Sequence, residues 1–256
     1  MNFNVSYHTD IGITKDTNQD ALVAKVVETK KGKVAFGVVC DGMGGLSKGE
    51  LASKEVIVAM LNWFDKDFIP YYEDGRHSEE LLINQWNLIV QEQNLRLGEY
   101  GKQKNIMLGT TLSAILFYDN YYYIMHIGDS RIYEMTDKLR QLTNDQTFVA
   151  REIAAGRMTP EQAKVDSRRS VLLQCVGASP VVSPEFVKGV ITPGASYMLC
   201  SDGFRHQISE EEIIKRLGPA NATDEEKIKY GCIYLTELVK SRGETDNISV
   251  LVMNVQ

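Results

Sequence analysis

Five aspartates stand where a folded chain could use them together. Asp41 in "VVCDGMGG", Asp129 in "HIGDSR", Asp202 in "MLCSDGF" and Asp246 in "TDNISVLV" each sit beside Gly or Asn next to an apolar run, and Asp20 in "TNQDALVAKV" opens another. Taken singly, each is a turn signal, because Asp beside Gly or Asn tolerates positive φ and makes local hydrogen bonds. Taken together they are less ordinary. Carboxylates gathered at strand ends repel and raise one another's pKa. A divalent cation that prefers oxygen ligands, Mg²⁺ or Mn²⁺, relieves that cost. No His-Cys cluster competes for such an ion. The residue types lead to an acidic metal site, without showing that the five meet in space.

The glycines after Asp41 raise a second chemistry, a cradle for a nucleotide phosphate. A dinucleotide fingerprint beginning at Gly42 and Gly44 needs a third glycine where Ser47 stands. A phosphate loop spanning Gly44 to Gly49 needs Lys and Ser/Thr where Glu50 and Leu51 follow. Asp41 would also put negative charge where an anionic pyrophosphate should lie. Both nucleotide motifs fail.

The elements that must carry these acids are legible. Strand-like runs rich in Val, Ile, Tyr and Phe recur at 33–40, 110–118, 121–128, 196–200 and 247–255. The second and third are separated only by Asp119 and Asn120, which predicts a tight hairpin and antiparallel pairing. Helical spacing of Leu51, Ala52, Val56, Ala59, Met60 and Trp63 predicts a helix after Gly49, and 78–98 repeats the pattern. Capping boxes at 159–162, 209–212 and 223–226 mark three further helix starts. The expected architecture is α+β, a sheet sandwich flanked by helices.

Bulk composition narrows the classes. The chain has 256 residues, 43% apolar, and a net charge of −6, enough for one large core and the wrong balance for a general nucleic-acid binder. The N-terminus lacks a basic stretch followed by an apolar one, so no secretory signal is expected, and no apolar run approaches the length of a membrane span. Cys40, Cys175, Cys200 and Cys232 are scattered without a CxxC pair, which fits reduced thiols in a cytoplasmic protein.

The order of motifs resembles the metal-dependent serine/threonine phosphatases of the protein phosphatase 2C type, and its bacterial branch most. The likeness runs through "TDIGITKDTNQDA" (9–21), "VVCDGMGG" (38–45), "LGTTLSAIL" (108–116), "HIGDSRIY" (126–133), "LCSDGF" (199–204) and "TDNISVLV" (245–252). It implies a single domain over 1–256, built of two packed antiparallel sheets flanked by pairs of antiparallel helices, with a flap at about 144–170. It implies two Mn²⁺ or Mg²⁺ ions, bridged by Asp41, with the Gly42 carbonyl on one and Asp202 and Asp246 on the other. Asp20 would orient the attacking water, a metal-bridged hydroxide, and Asp129 with Asp202 would form a third, weaker metal site. Asp20, Asp41 and Asp202 are then the expected catalytic acids. The expected substrates are phosphoserine and phosphothreonine in proteins, made by a Ser/Thr protein kinase and hydrolysed by a monomer. The alternative is a catalytically weak phosphopeptide-binding or regulatory module of the same fold.

Three departures from the family pattern stand out. Lys15 replaces the usual phosphate-binding Arg, keeping the charge and losing the two-pronged grip. Met43 stands where eukaryotic members often carry a histidine acid. The flap stretch holds Arg151, Arg157, Arg168 and Arg169, which fit contact with phosphoproteins and plain solvation equally. His126, Cys40 and Cys200 are expected as strand packing.

Overall fold

The computed structural model describes residues 1–44 and 48–256. In chain order the elements are β1 (Phe3–Asp10), β2 (Ala21–Thr29), β3 (Gly32–Cys40), β4 (Gly42–Met43), α1 (Gly49–Trp63), α2 (Ile69–Glu73), α3 (Glu79–Lys104), β5 (Gly109–Thr110), β6 (Leu112–Tyr118), β7 (Tyr121–Ile127), β8 (Arg131–Met135), β9 (Leu139–Gln141), α4 (Phe148–Ala154), α5 (Pro160–Val165), β10 (Glu185–Val190), β11 (Ser196–Cys200), α6 (Asp202–Arg205), α7 (Glu210–Leu217), α8 (Glu225–Ser241) and β12 (Ile248–Val255). Two antiparallel sheets result, β1-β12-β11-β8-β9 and β10-β7-β6-β3-β2, with a small β4-β5 pair beside Asp41.

Strand alternation builds three apolar layers. In β3, Val34, Phe36, Val38 and Cys40 face α1 and α3, whereas Ala35 and Val39 face the other sheet. In β12, Leu251, Met253 and Val255 meet them across the sandwich, while Ile248, Val250 and Val252 pack under α7 and α8. Both sheets are thus buried on two faces, which explains why their central strands read as nearly continuous apolar runs. Burying each large side chain contributes roughly 1.5–3 kcal/mol, so this core is stable enough to hold a strained polar cluster at one end.

The local predictions largely hold. Asp119 and Asn120 both take positive φ, 48° and 66°, the geometry of a two-residue hairpin turn matched to strand twist. Capping boxes form at Thr159/Gln162 and Ser209/Glu212. The third does not: Asp224, not Thr223, is the N-cap of α8 and accepts from Lys227 N. Its carboxylate carries full charge toward the positive helix end, which the hydroxyl of Thr223 lacks. The helix expected over 78–98 runs on to Lys104 and closes on Asn105 in the left-handed region.

Candidate active site

Asp41 leaves the end of β3 with its backbone held on both sides. Its N–H donates to Thr111 Oγ1 at 2.9 Å, and its carbonyl accepts from Thr111 N and Thr110 Oγ1, each at 2.9 Å. Gly42 then turns under β2, donating to the Gln19 carbonyl at 3.2 Å. A Cβ there would lie 2.3 Å from Gly49 O and 2.4 Å from Gln19 O, so no other residue fits. Asp20 follows Gln19 and is buried, and neither carboxylate oxygen has a hydrogen-bond partner among the described residues.

The other sheet brings two more acids. Asp202 opens α6 directly after β11, and Asp246 precedes β12, which pairs with β11. Gly203 lets α6 rest on that junction; a Cβ would meet Asn247 O at 2.2 Å and Asp246 Cβ at 3.3 Å. The Asn247 side chain ties the 11–19 loop to the same place, donating to Ile11 O and Thr17 O and accepting from Gln19 N. That loop carries Lys15, whose Nζ lies 2.8 Å from Asp246 Oδ1.

Electrostatics shows that the acids share one space. Burial pushes Asp41 well above the carboxylate range, and the charges of Asp20, Asp202, Asp129 and Asp246 push the same way. Burial lifts Asp20 to about 7; nearby Ser249 and Ser201 oppose this, and Asp202 and Asp246 add to it. Lys15 is raised: burial works against its charge, but Asp246 first, then Asp41 and Asp202, outweigh it. Among the described residues no three acidic, His or Cys side chains form a closed ion cage, and Asp246 is engaged by Lys15. The donor set nevertheless fits a hard divalent cation. It consists of carboxylates and a backbone carbonyl, and it leaves buried oxygens of Asp20 and Asp202 without partners among the described residues.

Residues 13–227 match the family model described as protein phosphatase 2C. The chain belongs to that family. A putative protein phosphatase 2C-type protein of Streptococcus pyogenes is 30% identical over 98% of this chain and 96% of its own length. The serine/threonine protein phosphatase PstP of Mycobacterium tuberculosis is 31% identical over 96% of this chain and 44% of its own length. Among solved structures, the S. agalactiae serine/threonine phosphatase superposes with a TM-score of 0.85 at 26% identity, with all of both chains covered. The catalytic domain of PstP in complex with two manganese ions gives 0.79 at 29% identity over 99% of both chains.

Within this phosphatase fold, the structure brings Asp20, Asp41, Gly42, Asp202, Asp246 and Lys15 to one end of the sandwich. Asp129 reaches the same field from the end of β7, close enough to raise Asp41 and to be raised by Asp202. It also stands in a charged corner that the sequence did not single out. Arg131 Nε and Nη2 each reach an oxygen of Asp145 at 2.7 Å, and Arg205 Nη2 lies 3.8 Å from Asp129 Oδ2. His206 stands 3.9 Å from Asp202 Oδ2 and 3.6 Å from Glu244 Oε2. Arg205 reaches Asp129 across 76 positions, a pairing no local motif encodes.

A cavity of about 750 Å³ opens from this corner toward α4 and α5 in the 144–170 stretch. Three of the four arginines of the 144–170 stretch pair with neighbouring acids: Arg151 and Arg157 with Glu152, and Arg168 with Asp166. Arg169 lines the cavity. His126 is fully buried in β7, bonded to Ser113 Oγ and to the Gly128 and Asn144 carbonyls, and burial lowers its pKa. It is a packing residue. Cys40 and Cys200 are likewise buried, and burial pushes the Cys200 thiol up to about 12.

Proposed function

We propose that this chain hydrolyses phosphoserine and phosphothreonine esters in proteins, with two divalent cations, Mn²⁺ or Mg²⁺, held by Asp41, the Gly42 carbonyl, Asp202 and Asp246. The observation that carries the reading is the convergence on Asp41 of four further buried or half-buried acids whose fields all push its pKa upward. Such a cluster is costly unless positive charge enters it. The two manganese ions of the PstP catalytic domain support the same count.

When bound, the cations supply Lewis acidity: they make water a better nucleophile and neutralise charge on the phosphoryl oxygens. The chain's own residues do the rest. Asp20, buried behind Asp202 and Asp246, orients the attacking water and takes its proton at a carboxylate oxygen. Lys15, at the rim beside Asp246, draws the substrate phosphate in. Met43 offers no proton, so protonation of the leaving seryl or threonyl oxygen would fall to water held at the site. Water adds to phosphorus, the P–O ester bond breaks, and inorganic phosphate and a free hydroxyl remain.

The same reading makes the enzyme a cytoplasmic monomer that opposes a Ser/Thr protein kinase, one domain with a flap at about 144–170 beside the site. It is compatible with the finding that no helix among the described residues is long and apolar enough to cross a membrane. A turnover-free phosphopeptide binder of the same fold is disfavoured by the completeness of the acidic set. The test is release of phosphate from a phosphothreonine peptide with Mn²⁺, and after EDTA. Metal-dependent turnover supports the proposal; binding without turnover at saturating Mn²⁺ overturns it.

A further inference from the structure

We propose that Arg205 is the resident counter-cation of Asp129, so that the acid cluster takes two divalent cations and not a third. The inference rests on the two-cation reading above and fixes its upper limit.

The corner is a small closed ledger of charge. The side chains of Asp129, Arg205 and Asp145 are only 9%, 13% and 15% exposed, so each charge needs a close partner. Arg131 is spent on Asp145, gripping both carboxylate oxygens at 2.7 Å, and its Nη1 goes to the Tyr133 hydroxyl at 2.9 Å. Burial works to raise Asp145, but Arg131 and Arg205 outweigh it and hold its carboxyl below the usual range. That leaves Asp129 and Arg205. Arg205 Nη2 donates to the Asp129 carbonyl at 3.2 Å and stands 3.8 Å from its Oδ2 and 3.7 Å from Asp145 Oδ2. Its Nε is buried without a hydrogen-bond partner among the described residues. The guanidinium is therefore placed by charge more than by hydrogen-bond geometry.

Its position is also anchored. Arg205 ends the one-turn helix α6 that Asp202 begins, and Gly203 between them is pressed on the Asn247 carbonyl. The counter-charge and the nearest proposed ligand thus belong to one rigid turn. A divalent cation drawn between Asp129 and Asp202 would meet the guanidinium in the same corner. To bind, it would have to expel Arg205 and leave a buried charge unpaired, the costliest way to open an ion pair.

The test is calorimetric titration of the metal-free full chain with Mn²⁺ near neutral pH, with thermal melts to verify folding. Wild type is expected to bind two ions, and Asp129→Asn to keep that count. Arg205→Gln is expected to gain a third ion at least about tenfold tighter than any further binding in wild type, because the guanidinium's opposition is gone. Arg205→Lys keeps the charge and should stay at two, and Arg205→Gln with Asp129→Asn should lose the gained ion. Three ions in wild type, falling to two in Asp129→Asn, would overturn the inference while leaving the two-cation reading intact, even if no Arg205 variant folds. No binding in wild type would overturn both.

Discussion

Asp119 and Asp41 each follow a strand of the same sheet, Asp119 beside Asn120 after β6 and Asp41 beside Gly42 after β3. Antiparallel pairing of β3 with β6 puts them at opposite ends of the sandwich. Asp119 is about half exposed; it accepts from the Tyr72 hydroxyl at 2.7 Å and lies 3.3 Å from His77 Nε2. Around it Tyr72, Tyr118, Phe68 and His77 stack edge and face, with ring centroids 4.8–5.7 Å apart. Asp41 faces other acids instead, and its pKa is driven up by all of them. One aspartate closes a turn with its charge satisfied, and the other is left short of positive charge. The two carboxyls differ in the charges and donors around them, not in the turn residues beside them.

The sharpest way to break this contrast is to remove the charge at Asp41. Asp41→Asn should lower kcat/KM for p-nitrophenyl phosphate by more than the roughly 100-fold that loss of a mere supporting residue costs at a metal site. The same change should raise the Tm of the EDTA-treated protein, since it removes a carboxyl whose ionisation burial and the neighbouring acids oppose. Wild-type turnover, or a lower Tm in EDTA, would mean that Asp41 is an ordinary structural acid. Asp202→Asn should behave alike in turnover.

The acidic end also makes stability depend on pH in an unusual direction. Asp20 and Asp129 have folded-state pKa values of about 7, raised chiefly by burial above the unfolded value of 3.8. Between those values the folded chain binds more protons than the unfolded one, so stability falls as pH rises. The contribution is complete below about pH 4 and is lost through about pH 7. The EDTA-treated protein should therefore melt several degrees lower at pH 8 than at pH 5.5, on the order of 5 °C, and Mn²⁺ should restore most of the loss at the higher pH. A flat profile in EDTA would show that the acids are not mutually burdened.

How much of this was readable beforehand follows from how local each signal is. The strands 33–40 and 196–200, the helix after Gly49 and the 119–120 turn are set by short apolar runs, helical spacing and φ preference, all within a few residues. The edge strands β1, β9 and β10 were not singled out; they are partly exposed, so their apolar pattern is weak. Asp20, Asp41, Asp129, Asp202 and Asp246 could be grouped as one expected acidic set because each sits in a recognisable strand-end motif. Arg205, Arg131, Asp145 and His206 could not, since their roles arise only when β7, β8, α6 and the 142–147 segment meet. The pairing of Lys15 with Asp246 spans 231 positions and has no counterpart in either local motif.

At the aromatic end the expected effects are on stability alone. Tyr72→Phe removes one hydroxyl from a charged acceptor, a loss of about 1.5–3 kcal/mol where the site cannot adjust, and less where water reaches Asp119. A Tm lower by roughly 2–4 °C for each kcal/mol, with unchanged kcat/KM, is the expected result. A change in turnover would mean that the two ends are coupled through β6 and β7, and the contrast between them would fail.

The smallest effect belongs to Lys15, which sits where the two descriptions of the acidic end overlap. Its ammonium pairs with Asp246, and at about two-fifths exposed it gains only modest energy from that contact or from the substrate phosphate proposed to enter beside it. Arg in its place would keep the charge and add a planar fork able to hold a carboxylate and a phosphate oxygen together. Lys15→Arg should therefore lower KM for a phosphothreonine peptide by about two- to fivefold, the scale of a partly solvated charge contact, with kcat nearly constant. Lys15→Met should raise KM by a similar factor. A change confined to kcat would instead mean that Lys15 acts by positioning Asp246 and not by binding the phosphate, because a group that binds ground and transition states alike alters KM only.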